Sequence, residues 1–335
     1  MRALAGELPH DLVRGFRSGV ELELARSAGD RPIYAVGMGA SAIAADLARG
    51  LVDAETPASL VVVRGPDLPA AVDRRTTVIV LSYSGTTTEA FEAYRQAGRR
   101  GASRVVVGSG GPLAESADAD GVPVLRVPGG NPPRSAVGHL FGGILGLLDP
   151  IFAESNERRL ELAAEELRGR LPLLGSSRGP AAPVARRIAG RLPFVVGERA
   201  LAGLARRWTS QLEENAKQLA AFDELPESLH NALVGWDALR PKDASRYALV
   251  LLEWSRADPL VRQAARHLAR VARARRVRTV EVPLPPEDRL GALVHGVALG
   301  DAVSLELARL RHVDPFPITA ITRGRAALAA VRPES

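Results

Sequence analysis

Short runs of valine, isoleucine and leucine alternate with helix-like segments along this chain, and this alternation restricts the fold more than any other feature. Each run is almost continuously apolar, which is typical of parallel strands covered by helices on both faces. In the first half the runs are PIYAVG at 32–37, SLVVVR at 59–64, TTVIVLS at 76–82, SRVVVG at 103–108 and VPVLRV at 122–127. The segments between them have helical periodicity, at about 41–51, 87–99, 112–118 and 135–152. We therefore predict a doubly wound α/β domain.

The same pattern starts again in the second half of the chain. Apolar runs at 192–197, 246–254 and 276–283 alternate with helical segments at 199–220, 258–275 and 291–311. Between the halves, LPLLGSSRGPAAPV collects glycine, proline and serine, which favours a linker. We predict two doubly wound parallel-sheet domains in tandem, at 1–171 and 186–335, joined by a linker at 172–185.

Length and composition are those of a globular protein. With 335 residues, of which 46% are hydrophobic and 24% charged, the chain can bury two cores. We expect no apolar run of membrane-spanning length, and the N-terminus MRALAGELPHDLVRGF contains acids where a signal peptide needs an apolar stretch. The expected location is therefore the cytoplasm. The absence of cysteine excludes disulfides and thiolate nucleophiles, and the six histidines have no paired ligand spacing, so we expect no metal.

The net charge of +6 comes almost entirely from arginine. Lys217 and Lys242 are the only lysines among 44 basic residues, and the arginines alternate with apolar stripes on helical segments, which is typical of solvated helix faces. Aromatic residues make up only 4% of the chain and no nucleic-acid-reading motif is present. We expect no nucleic-acid partner, and the charge favours a small anionic substrate.

Two glycine turns compete for the chemistry. The first apolar run ends in GMGASA at 37–42, which fits the GxGxx(G/A) dinucleotide pattern. That pattern also requires an acid at the end of the next strand, but this run ends in Arg64. An NADP site, in which arginine holds the 2′-phosphate, and a purely structural strand-to-helix turn both remain open.

The second turn, LSYSGTTTEA at 81–90, is rich in hydroxyl groups. Thr86 followed by Glu89 fits a capping box, so the hydroxyls could simply cap a helix. One threonine is enough for that role. Ser82, Ser84 and Thr87, together with backbone N–H groups at a helix start, form a cup that fits a phosphate monoester without lysine or arginine. Both turns lie where open α/β sheets bind ligands.

These blocks resemble those of a known family. SYSG before a threonine-rich helix start is similar to the phosphosugar-binding core of sugar isomerase (SIS) domains, which are flavodoxin-like. Five blocks between residues 33 and 325 resemble, in order, the bifunctional phosphoglucose/phosphomannose isomerases of archaea and bacteria: GMGASAIAADL, LSYSGTTTEA, NPPRSAVG, EENAKQLAAFDELPESLHNALVGW and GDAVSLELARLRHVDPFPITAI. The resemblance implies a glucose-6-phosphate and mannose-6-phosphate isomerase of carbohydrate metabolism that needs no cofactor. The phosphate anchor would be Ser41, Ser82, Ser84 and Thr87.

The resemblance also implies catalytic roles. Glu214 would move a proton between C2 and C1, because one carboxylate reaches both carbons of an enediol. Arg134 would stabilise the enediolate charge, and His230 would assist ring opening from the neighbouring subunit of a homodimer. Lys217, three residues after Glu214, is expected to orient that carboxylate.

Four positions depart from the family pattern. Thr86 stands where an asparagine is usual and GAS where GGS is usual, and both changes leave hydrogen-bond donors in place. Arg325 occupies the place of a lysine that helps ring opening, and arginine does not give up its proton. Phe316 stands where a smaller residue is expected, which makes dual substrate specificity less secure. A non-catalytic sugar-phosphate-binding protein, and less so an NADP-linked oxidoreductase, remain alternatives.

Overall fold

The strands of this protein form two parallel sheets. The computed structural model describes residues 1–22, 32–285 and 288–329. The strands of the first sheet are β1 (Ile33–Gly37), β2 (Leu60–Val63), β3 (Thr77–Leu81), β4 (Ser103–Gly108) and β5 (Val124–Arg126). Those of the second are β6 (Leu192–Glu198), β7 (Ala221–Leu225), β8 (Tyr247–Trp254) and β9 (Arg278–Leu284). Their orders, β2-β1-β3-β4-β5 and β7-β6-β8-β9, follow the flavodoxin-like plan. The prediction of two doubly wound parallel sheets in tandem is confirmed.

Helices connect these strands and cover both faces of each sheet. The helices of the first half are α1 (Arg2–Gly6), α2 (Leu8–Glu21), α3 (Gly39–Glu55), α4 (Thr88–Arg99), α5 (Gly111–Ala119), α6 (Val137–Leu148) and α7 (Glu157–Leu174). Those of the second half are α8 (Ala181–Ile188), α9 (Ala202–Ala216), α10 (Ala232–Asp237), α11 (Pro259–Ala274), α12 (Arg289–Leu310) and α13 (Thr319–Ala329).

A single apolar core connects the two sheets. It contains buried residues of α3, α6, α9 and α12, so these helices form a layer that both sheets share. A second core lies on the far side of the first sheet against α4 and α5, and a third lies on the far side of the second sheet against α11. All five residues of β1 and of β3 are buried because both faces of the sheet are covered there. Strands covered in this way have almost continuously apolar sequences.

Helices α3 and α9 pack closely and run antiparallel in the shared layer. A Cβ atom on Gly50 would lie 2.1 Å from the carbonyl oxygen of Ala200, and one on Gly203 would lie 2.7 Å from the backbone of Asp46. The later residue of α3, Gly50, contacts the earlier residue Ala200, whereas the earlier residue of α3, Asp46, contacts the later residue Gly203. The C-terminal end of α9 therefore lies on the side of the N-terminus of α3.

The predicted helix over 199–220 is too long. A short 3-10 turn at Arg199–Leu201 precedes α9, which ends at Ala216 because Lys217 has a left-handed backbone with φ of 53°. The chain then forms β7, a strand that the sequence pattern did not predict. This strand pairs on one side only, and Phe222 within it is exposed, so it lacks the apolar run that marks a covered strand.

The predicted linker at 172–185 overlaps two helices, since α7 ends at Leu174 and α8 begins at Ala181. The proposed domain limits remain a prediction.

Our expectation about membrane-spanning runs is wrong for α12, because this helix is long and apolar enough to cross a membrane by length and composition. However, 83% of its apolar window is buried inside the protein, where it contributes to the shared core.

Candidate active site

The residues of the predicted phosphate cup lie at the carboxyl ends of β1 and β3. These neighbouring strands pair Gly37 with Leu81 at their ends, and the strand order reverses at this point. Ser41 lies in the first turn of α3, and its Oγ accepts a hydrogen bond from the backbone N–H of Tyr83 at 3.3 Å. Ser82 follows the end of β3, and its hydroxyl donates to Thr87 Oγ1 at 3.0 Å. The two glycine turns therefore build one site.

Ser84 completes the hydroxyl cluster at the surface. Its Oγ lies 2.8 Å from Thr86 Oγ1. The turn that carries it needs glycine, because Gly85 has a φ of 66° and a Cβ atom there would lie 1.8 Å from the carbonyl oxygen of Gly110. Ser41 and Ser82 are buried, whereas Ser84 and Thr87 are partly exposed. The cup is therefore accessible to solvent on the side of Ser84 and Thr87.

The capping-box interpretation of these hydroxyls is wrong. Helix α4 begins after Thr87, not Thr86, and the Thr87 side chain makes no cap hydrogen bond. Helix α3 begins after Met38 and also lacks a side-chain cap. Ser82 bonds to Thr87, Ser84 bonds to Thr86, and Ser41 accepts from a backbone N–H. The first N–H groups of both helices receive no side-chain cap bond. Helix starts of this kind attract anions.

Tyr83 connects the cup to the segment that carries Arg134. Its hydroxyl donates to the carbonyl oxygen of Pro128 at 3.0 Å and accepts from the N–H of Asn131 at 3.3 Å. These bonds hold the chain just before the short 3-10 helix Pro133–Ala136, in which Arg134 lies. The Tyr83 side chain is buried, so the connection is rigid.

Arg134 and Glu214, which the sequence resemblance paired in function, are neighbours in the structure. Arg134 Nη1 lies 3.4 Å from Glu214 Oε2. The arginine is 1% exposed, while the glutamate side chain is 21% exposed and open to a ligand. Burial lowers the pKa of Arg134, and the charge of Glu214 opposes that shift. The antiparallel packing of α3 and α9 places Glu214 on the side of the cup.

A group of buried polar residues that the sequence pattern did not identify supports Arg134. Asn215 Oδ1 accepts from Arg134 Nε at 2.7 Å, and Asn215 Nδ2 donates to Ser304 at 3.0 Å. Arg207 Nη2 donates to the carbonyl oxygen of Arg134 at 2.9 Å and to Asp301 at 2.9 Å. A detectable signal was present, since Asp301 and Ser304 are polar residues within the largely apolar helix α12.

Lys217 does not orient the Glu214 carboxylate, so that prediction is wrong. Its Nζ donates to two backbone carbonyl oxygens, those of Glu214 and Pro317. The left-handed turn at the end of α9 directs the lysine toward the loop after α12. In the same loop, the carbonyl oxygens of Pro315 and Phe316 accept hydrogen bonds from Arg134, while the Phe316 ring is 49% exposed.

Arg64, which an NADP site would require, is already engaged. Its guanidinium forms an ion pair with Asp46 of α3, whose carboxylate is buried and also pairs with Arg206 at 3.3 Å. These contacts tie β2 to α3 and α9. Arg64 is therefore already paired with Asp46, and the NADP interpretation of GMGASA has no support from it as a group that holds a 2′-phosphate.

Within the described ranges, the side chains of His230 and Arg325 form no hydrogen bond or ion pair with the other predicted site residues. His230 is exposed at the end of the 3-10 turn Glu227–Leu229, and its backbone N–H bonds to Glu227. Arg325 is exposed on α13, a helix whose residues 319–327 are all exposed. Among residues 1–22, 32–285 and 288–329, neither side chain forms a hydrogen bond or ion pair with Glu214 or Arg134.

Solved structures with this fold include phosphosugar enzymes. The chain superimposes on tagatose-6-phosphate ketose/aldose isomerase from Escherichia coli with a TM-score of 0.71 and 16% identity, covering 93% of each chain. It superimposes on a hypothetical protein from Thermus thermophilus with a TM-score of 0.76 and 14% identity, covering 97% of this chain and 89% of the other. At such identities the likeness defines the fold alone, an α/β fold with two parallel sheets.

Sequence comparison defines the family within that fold class. A profile of the bacterial phospho-glucose isomerase C-terminal SIS domain matches residues 177–328. The bifunctional phosphoglucose/phosphomannose isomerase of Caldicellulosiruptor bescii is 30% identical over 97% of this chain and 98% of its own length. That of Aquifex aeolicus is 31% identical over 78% of this chain and 79% of its own. The chain belongs to the bifunctional phosphoglucose/phosphomannose isomerase family.

Proposed function

We propose that this protein interconverts aldose and ketose hexose 6-phosphates. The reaction links glucose 6-phosphate, mannose 6-phosphate or both to fructose 6-phosphate by ring opening and a cis-enediol intermediate. The observation that carries the proposal is the Arg134–Glu214 pair, a buried cation 3.4 Å from a solvent-accessible carboxylate on the same side as the hydroxyl cup. The enzyme acts in the cytoplasm and uses no cofactor.

The phosphate group of the substrate binds in the cup. Ser41, Ser82, Ser84 and Thr87 donate hydrogen bonds to its oxygens, and the uncapped first turns of α3 and α4 add backbone N–H donors. Hydrogen bonds to a charged group are stronger than those between neutral groups. The cup therefore holds the end of the sugar at C6 and directs the C1–C2 end toward α9.

Glu214 acts as the base at the C1–C2 end. Its carboxylate takes the proton from C2 of the open-chain aldose, and the electron pair of that C–H bond forms the C1–C2 double bond of the enediol. The same carboxylate returns a proton to C1, while a proton passes from O2 to O1, which gives the ketose. Proton transfer by a positioned side chain contributes about 10²- to 10⁴-fold in rate.

Arg134 stabilises the negative charge that develops on the oxygens of the intermediate. A fixed cation in a buried position needs no reorganisation when this charge appears. Its other donors are held by Asn215 and by the carbonyl oxygens of Pro315 and Phe316, so the direction of the guanidinium is set before the substrate binds.

Ring opening uses a histidine from a second copy of the chain. His230 is exposed and has no side-chain hydrogen bond within the described residues, which fits a group presented to a partner. We therefore include a homodimer with shared active sites in the proposal. Arg325 holds an oxygen of the sugar by donation and transfers no proton.

A coupled assay tests the proposal. Purified protein is mixed with fructose 6-phosphate, and glucose 6-phosphate and mannose 6-phosphate are followed separately. We expect formation of at least one aldose, together with exchange of the C2 hydrogen in deuterated water. Saturable binding of fructose 6-phosphate without either product or exchange would instead support the non-catalytic sugar-phosphate-binding protein.

A further inference from the structure

A second cavity lies at the carboxyl ends of the strands of the second sheet, far along the chain from the phosphate cup. Its volume is about 640 Å³, which is within the range of small-molecule sites. Four residues from four neighbouring strands line it in one row: Leu225, Glu198, Glu253 and Pro283. The strand order of this sheet reverses at β6 and β8, and open α/β sheets bind ligands at such a reversal.

The cavity exists because the second sheet lacks a unit that the first sheet has. After β4, the first sheet continues with α5 and β5, and Leu113 and Ala117 of α5 cover the face next to α4. In the described part of the second half, β9 is an edge strand and the next helix is α12, which belongs to the other face. The face next to α11 therefore remains open beside β9.

Two carboxylates lie side by side on the floor of this cavity. The parallel register pairs Val196 of β6 with Leu251 of β8, and both residues belong to the core beneath α11. Side chains alternate along a strand, so Glu198 and Glu253, two residues further on, face the same side. Adjacent strands are about 4.8 Å apart, which brings the two glutamates within reach of one ligand group.

Neither carboxylate has a hydrogen-bond or ion-pair partner within the described ranges. Glu198 is only 8% exposed, and its Oε1 is buried without a partner. Burial raises the pKa of Glu198, an effect that Asp258 strengthens and Arg289 opposes. Burial also raises the pKa of Glu253; Glu281 adds to this rise, and Arg273 and Arg266 oppose it. Both groups would be stabilised as anions by a positive charge between them.

The wall of the cavity carries positive charge. Arg262 of α11 lines the cavity and is exposed, and its side chain has no partner among the residues described. Arg273, further along the helix, is held by Glu281 at 2.6 Å. The start of α11 does not attract an anion, because the Asp258 carboxylate already accepts from the N–H of Leu260.

Arg266 and Arg270 of α11 also line the cavity, and Arg266 is held by Gln263 at 2.9 Å. Arg270 has no partner among the residues described, but it lies two turns further from the start of α11 than Arg262. Since α11 begins beyond the carboxyl end of β8, we expect an anionic ligand beside the glutamates to contact Arg262.

We propose that the second domain binds a small zwitterion, with its ammonium group between Glu198 and Glu253 and its phosphate or carboxylate group at Arg262. This site is separate from the isomerase site and does not depend on the proposed function. Two sources offer the required chemistry, namely amino-sugar phosphates and amino acids.

Isothermal titration calorimetry tests the site in the full chain. The zwitterionic probes are glucosamine 6-phosphate and 6-aminohexanoate, and glucose 6-phosphate and hexanoate are the matched probes without an ammonium group. A Ser84→Ala background reduces binding to the cup. In that background, Glu198→Gln, Glu253→Gln, their combination and Arg262→Gln are compared with Glu115→Gln, which alters an exposed glutamate on α5. Thermal unfolding verifies that each variant folds.

We expect one zwitterionic probe to bind, and the probe that binds identifies the source. Each Glu→Gln change should weaken that binding about tenfold or more, since it removes a charged hydrogen bond. Glu115→Gln should have no effect, and the probes without an ammonium group should bind the Glu→Gln variants no more weakly than they bind the control. The proposal is overturned if neither zwitterion binds, or if the Gln variants bind it as the control does. Isomerase activity, measured separately with Ser84 present, is expected to persist in the glutamine variants.

Discussion

Arg134 is a buried cation whose donors are nearly all used. Its guanidinium is 1% exposed, and it contacts Glu214, Asn215 and the carbonyl oxygens of Pro315 and Phe316. A buried charge is tolerated when it is paired and hydrogen-bonded, and it is costly when a partner is removed. The arrangement therefore fixes the position of the Arg134 charge at a cost in stability. Such a cost is typical of a group that is needed for function.

Replacement of Glu214 by glutamine is the most direct test at the residue scale. The amide preserves size and can still accept a hydrogen bond from Arg134, but it cannot take a proton from C2. We expect kcat to fall by about 10²- to 10⁴-fold while the affinity for fructose 6-phosphate stays near that of the wild type. Steady-state kinetics and exchange of the C2 hydrogen in deuterated water measure the two effects.

Glu213→Gln is the matched control, because Glu213 is the preceding residue of α9 and is exposed. It should keep turnover and exchange close to wild type. Near wild-type exchange in the Glu214→Gln protein would show that another group is the base.

Ser84 tests the cup. Its hydroxyl is partly exposed and bonds to the hydroxyl and the backbone N–H of Thr86, which lies outside the cup, so Ser84→Ala removes one donor with little effect on folding. A hydrogen bond to a charged group contributes roughly 1.5–3 kcal/mol, so binding of every hexose 6-phosphate should weaken by about ten- to a hundredfold. Ser103→Ala, an exposed serine at the opposite end of the first sheet, is the control. Calorimetry in which free fructose binds as tightly as fructose 6-phosphate would contradict the phosphate cup.

The hydroxyl residues of the cup were identifiable from the sequence, whereas the buried polar residues that support Arg134 were not. Ser82, Ser84 and Thr87 follow an apolar strand, and that position alone indicated a ligand-binding end of a sheet. Asn215 and Asp301 could not be assigned in this way, because their roles depend on which helix faces meet in the shared core. A buried polar residue on an apolar helix signals a partner without naming it.

At the scale of elements, the approach of α3 to α9 connects the two halves of the site. α3 begins beside the cup, and Glu214 lies near the end of α9. Gly50 permits backbone contact of α3 with the turn before α9, and Gly203 permits it with α9 itself, so the glycines set the distance between the proposed phosphate anchor and the proposed base. Small residues at a helix contact allow this closeness, and a larger one requires the backbone to shift.

Gly50→Ala should separate the two helices. The new Cβ would lie 2.1 Å from the carbonyl oxygen of Ala200, which is fixed backbone. We expect the free energy of unfolding to fall by about 1–3 kcal/mol. We also expect kcat to fall more than phosphate affinity, because Glu214 moves relative to the cup. Denaturant unfolding and steady-state kinetics provide the two measurements.

Gly169→Ala is the control for that experiment. Gly169 lies in α7 with open space around its Cα atom, so alanine there should leave stability unchanged or raise it by up to about 1 kcal/mol. Equal unfolding curves for Gly50→Ala and the wild type would contradict the tight packing of α3 on α9.

Element boundaries were less predictable than element types. The covered strands agree with the apolar runs to within about two residues, since burial on both faces leaves a strong pattern. β7 was missed because it pairs on one side and exposes Phe222. The end of α9 was missed because Lys217, not glycine, adopts the left-handed turn.

At the scale of the whole molecule, the two halves share a doubly wound parallel-sheet arrangement. They differ in the charge of the groups at the carboxyl ends of the strands and in how completely helices cover the sheet. The first sheet ends in neutral hydroxyls at uncapped helix starts. The second sheet ends in Glu198 and Glu253, and Asp258 caps the helix that follows β8. An anion suits the first end and a cation the second. Sequence patterns predicted the shared plan, whereas the open face beside β9 depends on a missing strand and helix that no local pattern reveals.

If the protein forms the proposed homodimer with shared sites, two inactive variants should complement each other. Glu214→Gln lacks the base and His230→Ala lacks the ring-opening group, so each homodimer should show little activity. If His230 serves the partner's site, a hybrid dimer contains one site with both residues intact, because both changes fall in the other site. Mixing the variants under conditions of verified subunit exchange should therefore restore up to about a quarter of wild-type activity per chain, from one intact site in half of the dimers. If His230 instead serves its own chain, every site in the hybrid lacks one group, and activity should stay at the level of the separate variants.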